Sequence, residues 1–476
     1  MTTVGQKARA RRVTPQPLTW PTRRPWWADA VPLAVWASLL VVVALWVSHG
    51  GVQQLTAGAS SAWIATGRLT GLVSSDLVLL QLLAMARIPL VERAVGQDAL
   101  TRWHRLLGFS SINLLLAHAV TITIGYALRV RSGFFTELWS LVTTAPGMLL
   151  ATAGTGLFVL VAVTSVRMAR RRLRYESWHL LHLYAYLAGL LALPHQLWTG
   201  ADFIASPLAR AYWWTLYGLA LVSVLVFRVA LPLRTSLRHR LVVTRVVAEA
   251  PGVVSVHIGG ANLHRLAAAP GQFFVWRFLT GPGWTRGHPL SLSSAPTTAG
   301  LRITLATGGD DGPRLASMRP GTNVLVEGPH GLLTPHVRTR RGLVLMGAGL
   351  GLAPLVSLLQ DAVRRGETAG RPATVVRRLR TSPHQPPWQA ELAELQRTGH
   401  IQLVDLVGPR GRSGPAWLPE HLSGWTATAA VHALIPDIED SDVFVCGTAP
   451  WSEAVAADLR AAGVPAYALH VERFTW

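Results

Sequence analysis

Long apolar runs alternate with short, Arg-rich polar segments over the first half of the chain. Crossing the hydrocarbon core of a bilayer takes about 17–25 apolar residues. Six runs reach that length, near residues 31–47, 69–86, 104–128, 146–166, 178–198 and 211–229. The second contains Asp76 and is the weakest. After Leu231-Pro232 the apolar runs shorten to strand length and Gly and Pro become frequent, so no further span is expected. Short strands are expected at 241–247, 253–258, 273–278, 301–306 and 323–327, a spacing that fits a small antiparallel β-barrel. From residue 342 an apolar strand enters a glycine turn and then an apolar helix. Further strands at 373–379, 401–406 and 443–446, with helical segments between them, fit an open α/β sheet.

The pattern thus predicts a basic tail over 1–30, a membrane all-α six-helix bundle over 31–232, an antiparallel barrel over 238–336 and an α/β domain over 340–476. The basic N-terminus has no short apolar segment with a small-residue cleavage site directly behind it, so the first span is read as retained.

Charge sets an orientation. The net charge is +20, and Lys7 is the only lysine, so the basic charge is almost all Arg. Such a balance fits nucleic acid or a membrane surface. Here the arginines cluster between apolar runs, which favours the membrane and argues against nucleic acid. The segments on one side hold Arg23 and Arg24, Arg87 and Arg93, Arg167 and Arg170–Arg172, Arg234 and Arg238; the opposite loops hold Arg129 and Arg131. By the positive-inside rule the N-terminus, the Arg-rich loops and the soluble half lie in the cytoplasm, with the spans in the cell membrane. The single cysteine, Cys446, excludes an intrachain disulfide.

Four histidines sit at matched intervals in two of the spans: His104 and His118, 14 apart, and His182 and His195, 13 apart. On a helix, 14 residues rise roughly 21 Å and return to within roughly 40° of the same face. Spans three and five run in the same direction, so His104 pairs in depth with His182, and His118 with His195. Two imidazoles on each of two irons describe a pair of bis-His haems, a set without an open iron position and so suited to electron transfer. The 13-residue interval leaves rings roughly 140° apart on an ideal helix; Pro194, just before His195, is a residue able to re-aim one of them. His179, one turn before His182, is an alternative ligand or a supporting group. Arg68, at the outer end of span two, suits either haem propionates or lipid headgroups. Asp76 suits either proton carriage or hydrogen bonding within the bundle, the latter being preferred.

In the barrel region, His288-Pro-Leu-Ser-Leu-Ser-Ser-Ala-Pro296 places closely spaced hydroxyls, Ser291, Ser293 and Ser294, where a strand can bond a flavin edge and ribityl chain. Farther on, Gly347-Ala-Gly-Leu-Gly-Leu-Ala-Pro354 offers Gly347, Gly349 and Gly351 between a strand and a helix, where bare backbone and a helix N-terminus favour a pyrophosphate. Arg377, Arg378 and Arg380 end one strand, and Arg410 and Arg412 follow another. Arginine rather than an acid near the ribose favours a 2′-phosphate, hence NADPH over NADH.

These residues together resemble the NADPH oxidase and ferric reductase superfamily, in which a six-helix haem-binding domain is fused to a ferredoxin-reductase-like FAD/NAD(P) module. The likeness covers nearly the whole chain from about residue 31. His104, His118, His182 and His195 match the family's two haem b sites in number, order and interval. His288-Pro289-Leu290-Ser291 resembles the family's His-Pro-Phe-Thr motif, which implies Ser291 at the isoalloxazine and His288 at the FAD phosphates or ribityl. The family's Arg-x-Tyr-Ser variant is absent, which leaves phosphate recognition to residues such as Arg302. Gly328-Pro-His-Gly331 resembles the turn between the two lobes, and Gly347 to Pro354 the pyridine-nucleotide loop. Val445-Cys446-Gly447-Thr448 resembles the Cys-Gly-Pro element near the nicotinamide, with Thr448 in place of Pro. Glu472-Arg-Phe474-Thr-Trp476 resembles the aromatic tail that stacks on flavin, with Phe474 and Trp476 both candidates. Arg68 resembles the family's arginine near the outer haem. Where the oxidases tend to carry another His one turn after the second ligand of span three, this chain has Ile122.

The resemblance implies an NAD(P)H-dependent oxidoreductase with FAD and two haem b. Electrons would pass across the membrane to a small-molecule acceptor such as a ferric chelate, oxygen or a quinone-like carrier. Two rival readings are an anchored flavin reductase without haem and a haem-binding sensor or partner subunit.

Overall fold

A computed structural model describes residues 28–166, 175–281, 283–308, 311–380, 386–411 and 414–474. The chain divides into two compact units, Pro25–Ala230 and Leu231–Trp476. Trp476, Arg412, Arg167 and Arg170–Arg172, and the tail bases Lys7, Arg23 and Arg24 lie outside the described residues.

The first unit is helical. Its long helices are Ala30–Ser48 (α1), Ala59–Met85 (α2), Gln97–Val130 (α3), Met148–Ser165 (α5), Tyr175–Trp198 (α6) and Pro207–Ser223 (α7), with the shorter Phe134–Thr144 (α4) between α3 and α5. Five helical stretches, Ala30–Ser48, Ala59–Met85, Ala99–Val130, Met148–Ser165 and Pro207–His239, are long and apolar enough to cross a membrane by length and composition. Helix α6 is 24 residues long, yet His179, His182, Tyr184, Tyr186, His195 and Gln196 dilute its hydropathy, so it is not among them. The polar residues that make this helix chemically interesting are the ones that weaken its apolar signal. Arg210 adds a base to the sparsely charged loops that hold Arg129 and Arg131.

Small residues let these helices approach closely. A Cβ at Gly67 of α2 would lie 2.6 Å from Ile122 of α3, and one at Gly154 of α5 would lie 2.8 Å from the Ala188 carbonyl of α6. Helix α7 opens on Ser206, whose hydroxyl accepts from the Ala209 N–H at 3.1 Å, with Pro207 at the first helical position, a standard N-terminal arrangement. Asp76 is fully buried on α2, and its Oδ1 accepts from Ser38 of α1 at 2.8 Å and from Tyr212 of α7 at 2.6 Å. It bonds within the bundle, the preferred of its two expectations.

The second unit begins with the helix Leu231–His239 (α8), whose Ser236 accepts from the Val326 N–H at 2.9 Å. A six-stranded antiparallel sheet follows: Leu241–Ala250 (β1), Val253–Gly259 (β2), Phe273–Phe278 (β3), His288–Ser291 (β4), Leu301–Ala306 (β5) and Asn323–His330 (β6), in the order β4-β3-β6-β1-β2-β5. Just past β4, Leu292 bridges to Ile303 of β5, so the two ends of this order meet. Strand β3 alternates strictly: Phe274, Trp276 and Phe278 are fully buried, while Phe273, Val275 and Arg277 face outward.

The remaining lobe is a parallel sheet in the order β11-β10-β7-β8-β9, from Gly342–Ala348 (β7), Ala373–Leu379 (β8), Ile401–Val407 (β9), Ser441–Thr448 (β10) and Leu469–Phe474 (β11). Its helices include Leu352–Arg364 (α9), Gln389–Arg397 (α10) and Ala449–Ala461 (α11). Central strands β7 and β10 are buried along almost their whole length, as expected of parallel strands covered on both faces. β11 is a strand that the apolar pattern did not mark.

Candidate functional site

Two sets of side chains are assembled, one in each unit. In the helical unit His104 of α3 faces His182 of α6 with ring centroids 5.8 Å apart, and His118 faces His195 at 6.3 Å. With metal–imidazole bonds of about 2 Å, two rings on opposite sides of one iron have centroids on the order of 6 Å apart. Both pairs have that spacing.

Three of the four outward ring nitrogens have a neighbour. Nδ1 of His118 donates to the Gly67 carbonyl at 2.7 Å. Nδ1 of His195 donates to Thr199 Oγ1 at 2.6 Å, because the Thr199 hydroxyl spends its own proton on the His195 carbonyl at 2.8 Å. Nδ1 of His182 lies 3.3 Å from Ser165 Oγ. The bonds of His118 and His195 leave Nε2 of each ring free to take a metal, the usual role of groups behind a metal ligand. His104 Nδ1 is buried with no hydrogen-bond partner among the described residues. Pro194 lies inside α6. Its missing N–H frees one helical hydrogen bond next to His195, and Gly147 gives the His195 backbone room, since a Cβ there would lie 2.8 Å from its nitrogen.

Two glycines that the sequence reading passed over support the outer pair. A Cβ at Gly71 would sit 2.6 Å from His118 Nδ1, and Gly67 supplies the carbonyl. The legible signal was the small-xxx-small spacing of Gly67 and Gly71 on one helix face. Ile122 fills the space over Gly67.

Arg68 is not free for a propionate or a headgroup. Its Nε and Nη2 grip the Asp202 carboxylate at 2.7 and 2.5 Å, and Nη1 donates to Gln54 at 2.7 Å. His49 Nδ1 also lies 3.2 Å from Asp202. A half-buried guanidinium takes a paired carboxylate in preference to remaining unsatisfied.

In the second unit a continuous path joins the flavin-type and nucleotide-type motifs. Strand register sets Ser291 beside Phe273, and Phe273 beside His330. Gly331, at φ +94°, adjoins Glu472: a Cβ there would lie 3.2 Å from its carboxylate. Glu472 is level with Cys446 in the β10–β11 register, and Cys446 with Gly347 in the β10–β7 register. Gly351 presses on the Cys446–Gly447 backbone so closely that a Cβ would lie 2.8 Å from the Gly447 Cα. The glycine turn, with Gly349 at φ +56°, therefore sits at the carboxyl ends of β7 and β10, where the strand order reverses. Ligands bind at such switch points in open α/β sheets. Pro354 continues α9 as buried packing. Phe474 ends β11 level with Thr448.

Ser291 fits a flavin: its hydroxyl is buried and has no partner among the described residues. Ser293 does not. It is buried within the sheet's interior, where Thr304 donates to its hydroxyl at 2.7 Å. His288 lies 3.3 Å from Arg314 and 3.7 Å from Asp311. Burial pushes His288 down to about 4, with Arg314, Arg286 and Arg277 working against Asp311, so it is neutral near pH 7. The positive charge beside it comes from Arg286 and Arg314, both bound to Asp311. The clue to Arg286 was its place two residues before His288.

Three more expected arginines are engaged elsewhere. Arg302 donates to the Ser293 carbonyl and to Glu391 at 3.1 Å, which turns it from flavin phosphate to protein. Arg377 is buried and forks onto Asp405 at 2.9 and 2.7 Å. Arg378 donates to the carbonyls of Leu406 and Gly408 at 3.0 and 2.8 Å. Arg380 and Arg410 remain exposed.

A family model described as the ferric reductase like transmembrane component matches residues 70–193. The heme-binding subunit MsrQ of the protein-methionine-sulfoxide reductase of Xanthomonas campestris pv. campestris is 31% identical over 181 residues, 37% of this chain and 79% of the relative. The chain belongs to the ferric reductase-like transmembrane family. This ferric reductase-like chain is also 31% identical over 220 residues to the ferredoxin–NAD(+) reductase component of the alkene monooxygenase system of Xanthobacter autotrophicus, 45% of the chain and 63% of that relative. It spans 63% and 56% of the first two curated relatives it matches. Its ferric reductase-like half is thus fused to a ferredoxin-reductase-like FAD/NAD-binding half. Among solved structures, the flavohem-like FAD/NAD binding domain of nitric oxide dioxygenase from Vibrio cholerae aligns at 24% identity and TM-score 0.41, over 50% of this chain and 99% of that one.

Proposed function

We propose that the chain is a transmembrane oxidoreductase that takes electrons from cytoplasmic NAD(P)H, through FAD and two b-type haems, to a small-molecule acceptor on the opposite face. The observation that carries this reading is the double facing of imidazoles, His104 with His182 and His118 with His195, each pair at an iron-spanning separation. FAD supplies the conversion of a two-electron donor to single electrons, and the haems supply one-electron carriage.

The chain's own residues hold and orient. His104 and His182 hold the inner haem, and His118 and His195 the outer. The Gly67 carbonyl and Thr199 fix the outer tautomers. Helix α6 serves as the sixth span, with His182 and His195 the residues that would hold haem iron. The Leu292–Ile303 bridge supports reading the six-stranded sheet as a closed barrel. On it Ser291 offers its hydroxyl to the isoalloxazine, while Arg286 and Arg314 carry the charge for the flavin phosphates beside a neutral His288. Gly347, Gly349 and Gly351 leave room for the nucleotide pyrophosphate, with Cys446 and Gly447 at the nicotinamide. Arg380 and Arg410 stay available for a 2′-phosphate, which favours NADPH. The acceptor is a ferric chelate, oxygen or a quinone-like carrier, and the bundle sits in the cell membrane with both termini inside.

The test is an anaerobic spectrum. The purified full chain with FAD receives NADPH, and visible absorption is recorded before and after. Low-spin haem bands that shift to the reduced form support the full relay. A flavin that bleaches while no haem responds reduces the protein to an anchored flavin reductase.

A further inference from the structure

Helix α9 begins at the glycine turn and, roughly one and a half to two and a half turns on, grips the chain that continues from Ser291. Ser357 Oγ donates to the Ser294 carbonyl at 2.8 Å and accepts from the Gly271 N–H at 3.3 Å. Gln360 Oε1 accepts from the Ala295 N–H at 2.8 Å. The Gln360 amide donates to Glu391 of α10, and Glu391 in turn accepts from Arg302, which donates to the Ser293 carbonyl. Three successive residues, 293 to 295, are thus held by four side chains, three of them linked to one another. Ser357 is fully buried.

The clasp has a geometric consequence. From Gly351 to Gln360 a helix rises about 13 Å, and α9 is almost wholly buried, so it behaves as a rigid strut. One end abuts Cys446 and Gly447. The other end fixes residues directly downstream of Ser291. A cavity of 540 Å³, lined by Thr297, Gly300, Arg302, Gln360, Arg364 and Glu391, opens beside the clasp. None of the glycine-turn residues lines that cavity.

We propose that Ser357, Gln360, Glu391 and Arg302 are positioning residues that set the distance between the nucleotide at the glycine turn and the flavin at Ser291. The proposal rests on the NAD(P)H-to-FAD reading above. The step it serves moves one hydride, a proton with two electrons, so the nicotinamide is oxidised by two electrons and the flavin reduced by two. Misplacement by about 1 Å costs such a transfer up to roughly a hundredfold.

The experiment uses the full chain with FAD and compares wild type, Gln360→Ala, Glu391→Ala and Glu391→Gln. Stopped-flow bleaching of the flavin by NADPH gives the limiting rate and the apparent Kd, and amide exchange reports residues 293–295. Both alanine variants exchange faster at 293–295 and lose roughly ten- to a hundredfold in limiting rate, while FAD content and the Kd for NADPH stay within twofold. Glu391→Gln, which keeps one acceptor for Arg302 but loses the one for the Gln360 amide, recovers part of the rate. Faster exchange with an unchanged rate overturns the proposal, as does loss of FAD in parallel with rate, which marks a purely structural role. If the wild-type flavin does not bleach, the electron-transfer reading falls and the clasp proposal with it. If wild type bleaches and the variants match it, the clasp proposal alone falls.

Discussion

His118 donates from Nδ1 to the carbonyl of Gly67 on the facing helix at 2.7 Å. The bond aims the remaining nitrogen, and it depends on close approach of α2 and α3. A methyl group at Gly71 would lie 2.6 Å from the same Nδ1. Gly71→Ala is therefore expected to displace His118 and remove the outer haem while the inner one stays. Haem per protein should fall from two to one in a pyridine haemochrome assay, with flavin reduction intact. Gly156→Ala, at a position with open space around it, should retain both. Equal haem content in the two variants overturns the assignment of His118.

Arg68 and Asp202 form a bidentate pair with little exposure. Removing one partner strands the other, at a cost of about 3–5 kcal/mol for a buried pair. Asp202→Ala should lower the apparent Tm in detergent strongly, and Arg68→Ala similarly. The double variant should lose much less than the sum of the two, because no uncompensated charge remains. Additive losses show that the pair does not act as a unit.

Arginine choice in the nucleotide lobe separates binding from folding. Arg380→Ala should raise KM for NADPH roughly tenfold, the value of one charge-assisted hydrogen bond, and leave KM for NADH unchanged. Arg377→Ala should instead lower stability, because it leaves Asp405 and Gln389 without their partner. An equal rise in KM for both nucleotides in Arg380→Ala shows that it does not read the 2′-phosphate.

Asp442 is fully buried at the start of β10. It accepts from the Thr339 and Arg340 N–H groups at 2.7 and 2.6 Å and pairs with His470 at 2.9 Å. Burial pushes its carboxyl up, but the His470 bond and the two backbone donors outweigh that and hold it below its ordinary 3.8. A carboxylate with a depressed folded value stabilises fully above its unfolded value, and that stability disappears as pH falls through the folded one. Asp442→Asn should therefore lose about 1–3 kcal/mol near neutral pH and show a shallower further loss below pH 3.8 than wild type. Parallel stability curves over that window rule out the linkage.

Much of the site was legible because it is local. The 14-residue interval of His104 and His118 fixes depth and face on one helix; His182 and His195 meet them although 13 residues leave their rings on different faces of an ideal helix. The glycine turn was legible for the same reason, as a strand, a bare turn and a helix in immediate succession. Ser293 was misread because a hydroxyl on a strand can turn to either side, and only the interior partner Thr304 decides which.

The sequence by itself determined where apolar helices run, how far apart their histidines lie and which segments carry flavin-type and nucleotide-type motifs. These follow from periodicity, rise per residue and turn chemistry, which act over a few residues. Tertiary structure alone decided which charges are spoken for. Arg68 meets Asp202 across 134 positions and Arg377 meets Asp405 across 28, while Arg302 meets Glu391 across 89. An arginine's freedom depends on a carboxylate or carbonyl brought to it by the fold, and no local pattern encodes that partner.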